Sequence, residues 1–93
     1  MEFKGSKSPW NYDGNVHGAV EGSIDNLVAS VYPMHYENAE EMKANAYLIA
    51  AAPELLEALI EMQRNGRKQG WNDIYESSME KTRLAIAKAL GQQ

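Results

Sequence analysis

Cysteine is absent from the sequence, and this absence excludes three kinds of site. A chain without thiols has no disulfide framework, no thiolate zinc site and no cysteine nucleophile, and it suits a reducing compartment. Residues 1–7 also lack the apolar core of a signal peptide. No run of the chain approaches the roughly 20 apolar residues of a membrane span. We therefore expect a cytoplasmic protein that does not enter a membrane.

Basic charge is also scarce, since 9 Lys and Arg residues stand against 13 Asp and Glu residues. The formal net charge of −4 disfavours a dedicated nucleic-acid binder, which needs concentrated Lys and Arg for phosphate contacts. Direct nucleic-acid binding is therefore the weaker alternative, and the charge favours a protein or small-ligand partner. A length of 93 residues predicts a single domain over 1–93. Because so small a domain is only modestly stable, a homodimer stays an open alternative.

The distribution of residue types along the chain predicts an α+β fold. Residues 8–33 are rich in Gly, Asn, Asp, Val and aromatic residues, which is typical of a β-meander. The meander is expected to be a small antiparallel sheet of three strands at 10–12, 16–20 and 27–32. Asp13-Gly14 suits the tight turn between the first two strands. Residues 38–90 are rich in helix formers, and strands followed by helices favour the α+β class.

Two or three helices are expected in the helical part. Asn38 and Glu41 have the spacing of a helix N-cap with a reciprocal acidic partner. Pro53 predicts a break or kink and the start of a second helix, because proline lacks an amide hydrogen. A third helix is expected over 72–90, and the last two helices should form an antiparallel hairpin. The second helix carries an apolar stripe formed by Leu55, Leu56, Leu59, Ile60 and Gln63.

Residue types that support catalysis or metal binding are few. The only imidazoles belong to His17 and His35, and neither lies in a recognisable catalytic context. With Glu37 they form the only cluster worth testing for metal, and its spacing matches no standard site. The glycines lack the strand-loop-helix context and the lysine of a phosphate cradle. We therefore predict a non-enzymatic protein with no catalytic, metal or cofactor-binding residues.

Two groups of residues are candidates for partner binding. The first, the aromatic-acidic surface, combines anchoring rings with carboxylates that pair with Arg or Lys of a target. It consists of Tyr12, Tyr32, Tyr36, Glu37 and Glu40. Core packing is the competing explanation for some of these rings. The second, the basic surface, consists of Arg64, Arg67, Lys68 and Trp71 and suits phosphate contacts with a stacked base. Compensation of the helix dipole together with one packed indole explains the basic surface without a ligand, and this is the favoured of the two explanations.

Residues 45–59, which read NAYLIAAAPELLEAL, resemble the signature ANARLIAAAPELLEAL of a large group of small phage and prophage accessory proteins. Ser8-Pro9-Trp10 and the run AIAKA at 85–89 occupy the places of two further segments of that group. Tyr47 stands where the group usually has Arg. The resemblance implies a phage or prophage origin and supplies no catalytic residues.

What the resemblance implies about activity is an analogy with small phage proteins that inhibit host defence, such as anti-CRISPR proteins. On that basis we expect a phage-encoded binding protein that inhibits a host protein or nucleoprotein complex. The alternative is a small regulatory protein that binds a nucleotide or nucleic acid. The signature also has a purely structural explanation, since small alanines before Pro53 allow close helix packing.

Overall fold

The computed structural model describes residues 3–23, 27–31 and 39–92. The chain divides into two compact units. The amino-terminal unit is Lys4–Glu54, and the carboxy-terminal unit is Leu55–Gln93 together with Met1–Phe3. Strands precede helices along the chain, which confirms the predicted α+β class. The expectation of a single domain stays a prediction.

The sheet of the amino-terminal unit has two antiparallel strands, β1 (Ala19–Glu21) and β2 (Leu27–Ser30). Ala19 pairs with Ser30, Val20 with Ala29 and Glu21 with Leu27. The register shifts once, between Val20 and Glu21. Successive side chains of a strand point to opposite faces. Val20 is accordingly fully buried, whereas Glu21 is exposed.

The predicted three-stranded sheet is wrong, because the first expected strand contributes one bridge, between Asn11 and Glu21. The amide of Asn11 donates to the Glu21 carbonyl at 2.7 Å, and the amide of Glu21 donates back at 2.9 Å. Pro9 lies just before this bridge and has no amide hydrogen to donate. After the bridge, the amide of Asn15 donates to the Asp13 carboxylate at 3.0 Å. Side-chain bonds of this kind compete with a strand ladder, so pairing does not extend.

Asn15 organises the loop that connects the bridge to β1. Its Nδ2 donates to Oδ1 of Asp13 at 2.8 Å and to the carbonyl of Ala19 at 3.1 Å. Its Oδ1 accepts hydrogen bonds from the amides of His17 at 3.1 Å and Ala19 at 3.0 Å. The tight turn expected at Asp13-Gly14 is therefore a longer loop, held in shape by one asparagine side chain.

Gly18 connects this loop to β1 and occupies a position that only glycine fits. Its φ of +63° lies in the left-handed region that disfavours other residues. A Cβ there would lie 2.0 Å from the carbonyl oxygen of Val31. The amide of Val31 donates to the Gly18 carbonyl at 2.9 Å, which fixes the close approach of the two segments.

The core of the amino-terminal unit forms where the sheet meets the first turns of the helix that follows it. Its buried members are Tyr12, Val20 and Ala46. Half-buried apolar side chains surround them, namely Trp10, Ala29, Val31, Ile49 and Ala50. The small size of Ala46 leaves room for the Tyr12 ring, so a tyrosine and an alanine complement each other in this core.

The helix α1 (Ala39–Lys68) carries charges at its ends that match its dipole. Glu40 and Glu41 lie in the first turn, and Arg67 and Lys68 lie in the last turn. Acidic residues stabilise the positive amino end of a helix, and basic residues stabilise the negative carboxyl end. Asn38, the expected N-cap residue, lies outside the described residues.

The predicted helix break at Pro53 is wrong, because α1 continues through this residue. Proline removes one backbone donor and crowds the preceding turn. Residues 50–52 are all alanine, and Glu-Leu-Leu follows at 54–56, so strong helix formers occupy both sides of the proline. Their propensity offsets the lost hydrogen bond.

The carboxy-terminal unit contains two further helices, α2 (Trp71–Ile74) and α3 (Glu76–Ala89). The single helix expected over 72–90 is divided at Tyr75, whose φ of −121° and ψ of 48° are not helical. The predicted hairpin paired the helix expected from Pro53 with the helix expected over 72–90, whereas the last two helices of the structure are the four-residue α2 and α3. Met79 and Ile86 are the buried side chains of α3. Among the described residues, no helix has the length and apolar character of a membrane span.

Gly66 is the point at which α1 approaches both α2 and α3. A Cβ at this position would lie 2.6 Å from Cε3 of Trp71 and 3.1 Å from Cε of Met79. The first distance is shorter than any real Cβ contact. The absence of a side chain at Gly66 therefore allows the Trp71 indole to cover the end of α1.

Candidate functional site

Tyr12, one member of the aromatic-acidic surface, is a core residue. Its side chain is 7% exposed, and its hydroxyl donates to the carbonyl of Asn15 at 2.6 Å. The same oxygen lies 3.8 Å from the sulfur of Met42. Burial raises the pKa of the Tyr12 hydroxyl above its ordinary value, and the neighbouring Tyr47 and Asp13 add to this effect. The contact role expected for Tyr12 is therefore replaced by a role in the core.

The remaining members of the aromatic-acidic surface are described only in part. Glu40 is exposed in the first turn of α1. Tyr32, Tyr36 and Glu37 lie outside the described residues, so the surface as a whole stays a prediction. Within the described ranges, no group of three or more His, Asp or Glu side chains is placed to hold a metal ion.

The basic surface lies at the carboxyl end of α1 and the start of α2. Arg64, Arg67 and Lys68 are exposed, and Trp71 is half-buried. The indole packs against Gly66 and meets the Tyr75 ring edge-on, with the ring centroids 5.9 Å apart. Part of the Trp71 ring is therefore committed to packing, while the three cations face solvent.

A pocket of about 360 Å³ opens in the carboxy-terminal unit and shares Arg67 with the basic surface. Its volume falls in the range of small-molecule sites, roughly 300–1,000 Å³. Side chains from all three helices line it: Gln63 and Arg67 from α1, Asn72 from α2, and Glu76, Met79, Glu80 and Arg83 from α3. The lining combines amides, charges of both signs and one thioether, which suits a polar ligand better than a purely apolar one.

Gln63 is the residue that sets this pocket apart. Its side chain is only 5% exposed, and Oε1 has no hydrogen-bond partner among the described residues. A buried acceptor without a partner costs free energy, and the large majority of buried side-chain polar atoms have a hydrogen-bond partner. The unpaired Oε1 of Gln63 therefore lowers the free energy of unfolding, and no hydrogen bond from the described residues compensates for it.

The charges around the pocket fall into a bonded pair and two free groups. Nε of Arg83 donates to Oε2 of Glu80 at 3.0 Å, and a second guanidinium nitrogen donates to the other carboxylate oxygen. These bonds lower the pKa of the Glu80 carboxyl below its ordinary value and raise that of Arg83. Arg67 and Glu76 form no ion pair within the described part of the chain. They remain available to a ligand.

A row of exposed apolar side chains, which we call the apolar row, runs along α1 in the carboxy-terminal unit. It consists of Leu55, Leu59 and Met62, which are 49%, 38% and 53% exposed. Their spacing of four and three residues places them on one side of the helix. The sequence predicted Leu55 and Leu59 in the packed stripe of this helix, but the structure leaves both partly in solvent.

Sequence reasoning found part of this site and missed most of the pocket. Arg67 was identified through the cluster of basic residues at the end of a helix. Asn72, Glu76 and Arg83 carry no motif in the sequence, because only the packing of α2 and α3 beside the end of α1 brings them together. The signal for Gln63 was its place at the end of the apolar stripe.

Comparison with known proteins identifies a phage family. The family model described as Salmonella phage P22 protein Y8K6 matches residues 1–93. No curated protein and no solved structure matches the chain. The match confirms the expected phage origin.

Proposed function

The chain belongs to the family of the Salmonella phage P22 protein Y8K6, and from this premise we propose that it is a non-enzymatic phage accessory protein. It acts in the bacterial cytoplasm by binding and inhibiting a host protein or nucleoprotein complex. Host defence complexes, which anti-CRISPR-like proteins inhibit, are the specific class of target that we propose.

The apolar row carries this proposal. Leu55, Leu59 and Met62 expose large side chains at neighbouring positions of one helix in a chain of 93 residues. Isolated surface leucines need no explanation, but contiguous apolar side chains on a small protein mark interaction sites. A row with spacing four and three is also the pattern by which an amphipathic helix enters a groove of its partner.

Charge indicates the kind of partner that fits the apolar row. Glu57 and Glu61 are exposed on the same segment of α1, and the whole chain has a net charge of −4. These two carboxylates lie on the opposite side of the helix from the apolar row. The net negative charge of the chain still favours a basic partner, because opposite charges steer the encounter. Nucleic-acid-binding host proteins present such basic surfaces.

The proposal is tested by affinity capture from nuclease-treated host lysate with matched variants. The double variant Leu55→Gln/Met62→Gln removes apolar contact while keeping helix propensity. The control Ile74→Gln changes a side chain that is 68% exposed but lies on α2. We expect the wild type and the control to retain the same host complex, and the double variant to lose it.

Two outcomes would contradict the proposal. Retention of the same complex by all three proteins would remove the apolar row from the interface. A second copy of this chain covering the row would appear as a concentration-dependent dimer in analytical ultracentrifugation that Leu55→Gln/Met62→Gln abolishes. In that case the row would serve self-association instead of host binding.

A second candidate function is the binding of a nucleotide or nucleic acid at the carboxyl end of α1. The observation that favours it is the exposure of Arg64, Arg67 and Lys68 within two turns, next to the half-buried Trp71. Phosphate contacts of this kind weaken as salt concentration rises. Titration of labelled oligonucleotides and nucleotides at low salt tests it, and a flat titration would exclude this candidate.

A further inference from the structure

We infer that the exposed ring of Tyr47 and the carboxylates around it form a docking surface for an arginine-rich segment of a partner protein. This surface, the Tyr47 surface, consists of Tyr47, Asp13, Glu40 and Glu54. It lies in the amino-terminal unit, whereas the apolar row lies in the carboxy-terminal unit. The inference rests on the proposed function for the class of partner, a protein, and it names the chemistry of the segment that is bound.

Tyr47 supplies the exposed ring that was expected of Tyr12. Its side chain is 56% exposed, although one edge of the ring pair is anchored in the core. The rings of Tyr47 and Tyr12 meet edge-on, with centroids 4.8 Å apart and an angle of 79° between their planes. The Tyr47 hydroxyl lies 3.6 Å from the position that a Cβ on Gly14 would occupy. Because these contacts already hold the ring, a partner loses little side-chain entropy when it binds there.

Three carboxylates lie around this ring. Glu40 and Glu54 are seven residues before and after Tyr47 on α1. Seven residues are close to two helical turns, so both residues lie on the same side of α1 as Tyr47, each about 10 Å away along the axis. Asp13 directly precedes Gly14, the loop residue whose backbone approaches the Tyr47 hydroxyl. The loop and the helix together place negative charge on several sides of one aromatic ring.

These carboxylates are charged and available to a partner. Hydrogen bonds from the side chain and the amide of Asn15 lower the pKa of the Asp13 carboxyl, so this group is ionised at neutral pH. Within the described ranges, neither Glu40 nor Glu54 forms an ion pair. Lys43 is exposed on the same side of α1, and its ammonium group reduces the local charge without cancelling it. The surface is therefore net negative and complements a cationic segment.

Arginine is the cation that fits both parts of the Tyr47 surface. A guanidinium stacks on the face of an aromatic ring and also binds a carboxylate through two parallel hydrogen bonds, whereas an ammonium is a point charge. The spacing of the surface also matches a disordered chain. In the polyproline II conformation every third side chain lies on the same side, about 9 Å apart. We therefore expect an extended segment with arginine at every third residue.

A titration followed by nuclear magnetic resonance tests the surface. The isotope-labelled full-length chain is titrated at low salt with the peptide acetyl-RPARPAR-amide, and we expect the shifted amides to lie around Tyr47 and Asp13. The lysine analogue acetyl-KPAKPAK-amide should bind at least about threefold more weakly. That factor corresponds to about 0.7 kcal/mol, at 1.4 kcal/mol for each factor of ten. Equal binding of the two peptides would overturn the guanidinium contact with the ring.

Ring variants test the role of Tyr47. Tyr47→Leu should weaken binding of the arginine peptide at least about threefold, whereas Tyr47→Phe keeps the ring and should bind like the wild type. The matched control is Tyr75→Leu, which removes a ring that is 55% exposed in the carboxy-terminal unit. Tyr75→Leu should bind like the wild type. An equal loss in Tyr47→Leu and Tyr75→Leu would overturn the assignment of the site.

Charge variants test the carboxylates independently of the ring contact with the core. Glu40→Gln/Glu54→Gln should also weaken binding at least about threefold. The control Asp73→Asn/Glu76→Gln removes the same charge from two exposed positions of the carboxy-terminal unit and should bind like the wild type. An equal loss in both double variants would indicate attraction by the overall net charge and would overturn the inference. Circular dichroism verifies that the variants fold.

The test is separate from that of the apolar row. Leu55→Gln/Met62→Gln should bind the arginine peptide like the wild type, because both substitutions lie outside the Tyr47 surface. No shift of the wild-type amides with the arginine peptide, or shifts centred on the carboxy-terminal unit, would overturn the inference. Neither result would change what affinity capture reports about the apolar row.

Discussion

Replacing Gln63 by methionine should stabilise the protein, because the substitution removes a buried carbonyl that has no partner in the described chain. Methionine has nearly the same length and shape as glutamine, so it leaves no large cavity. The two residues also have similar helix propensities. The change in stability therefore reports mainly on the polar group.

The expected magnitude follows from the cost of an unpaired buried group. Leaving a buried acceptor unsatisfied costs about 1–3 kcal/mol, and Gln63 is 5% exposed. We expect Gln63→Met to raise the free energy of unfolding by about 1–2 kcal/mol, which allows for some loss of packing. In a domain of this size, each kcal/mol raises Tm by roughly 4–8 °C.

Urea denaturation followed by circular dichroism measures this effect. The midpoint of Gln63→Met should rise while the slope of free energy against urea stays constant, because the surface exposed on unfolding is unchanged. The control Gln69→Met, at an exposed position, should stay within about 0.5 kcal/mol of the wild type. A Gln63→Met protein that is less stable than the wild type would refute the reasoning.

Three further predictions concern close packing and pH. In an exposed helix, replacing glycine by alanine stabilises the protein by about 1 kcal/mol. At Gly66 the same substitution should instead lower the free energy of unfolding by about 1–3 kcal/mol, because the new Cβ would lie 2.6 Å from the Trp71 ring. Thermal denaturation measures the loss. Gly18→Ala should disorder β1 and β2, visible as loss of protection in amide hydrogen exchange, whereas retained protection would contradict the close approach. The folded-state pKa values of Asp13 and Glu80 lie below their ordinary 3.8 and 4.5. Their contribution to stability is therefore complete above those values and lost as pH falls through the lower, folded-state pKa values, so the urea midpoint should decrease below about pH 4.5.

The features that sequence predicted correctly depend on local interactions. Ala, Leu and Glu are strong helix formers, and acidic and basic residues at opposite ends of α1 match its dipole. The strand character of β2 follows from the period-2 pattern in which Leu27 and Ala29 alternate with Val28 and Ser30. These properties are visible in any short window of the chain.

The features that sequence did not predict depend on competition between interactions. A third strand was expected at 10–12, but Asn15 bonds its own neighbours and takes their backbone groups away from a ladder. A helix end was expected at Pro53, but the alanines before it stabilise the helix enough to continue. In both cases the local preference was identified correctly, and the interactions of neighbouring residues were stronger than that preference.

The candidate site was predicted least well, because it depends on packing between segments distant in sequence. Arg67 stands out in the sequence as one of several cations. Gln63 lies one helical turn before Arg67 on α1, but the proximity of Arg67 to Glu76 follows only from the position of α3 beside the end of α1. The burial of Gln63 Oε1 without a hydrogen-bond partner among the described residues is likewise a property of the tertiary structure alone.

The most direct test of the proposed function is a binding titration between this protein and the host protein that affinity capture retains. Wild type and Ile74→Gln should bind with equal Kd, and Leu55→Gln/Met62→Gln should bind at least about tenfold more weakly. That loss corresponds to more than about 1.4 kcal/mol, the scale of a central interface contact. Equal Kd values for all three proteins would contradict the assignment of the apolar row as the binding surface.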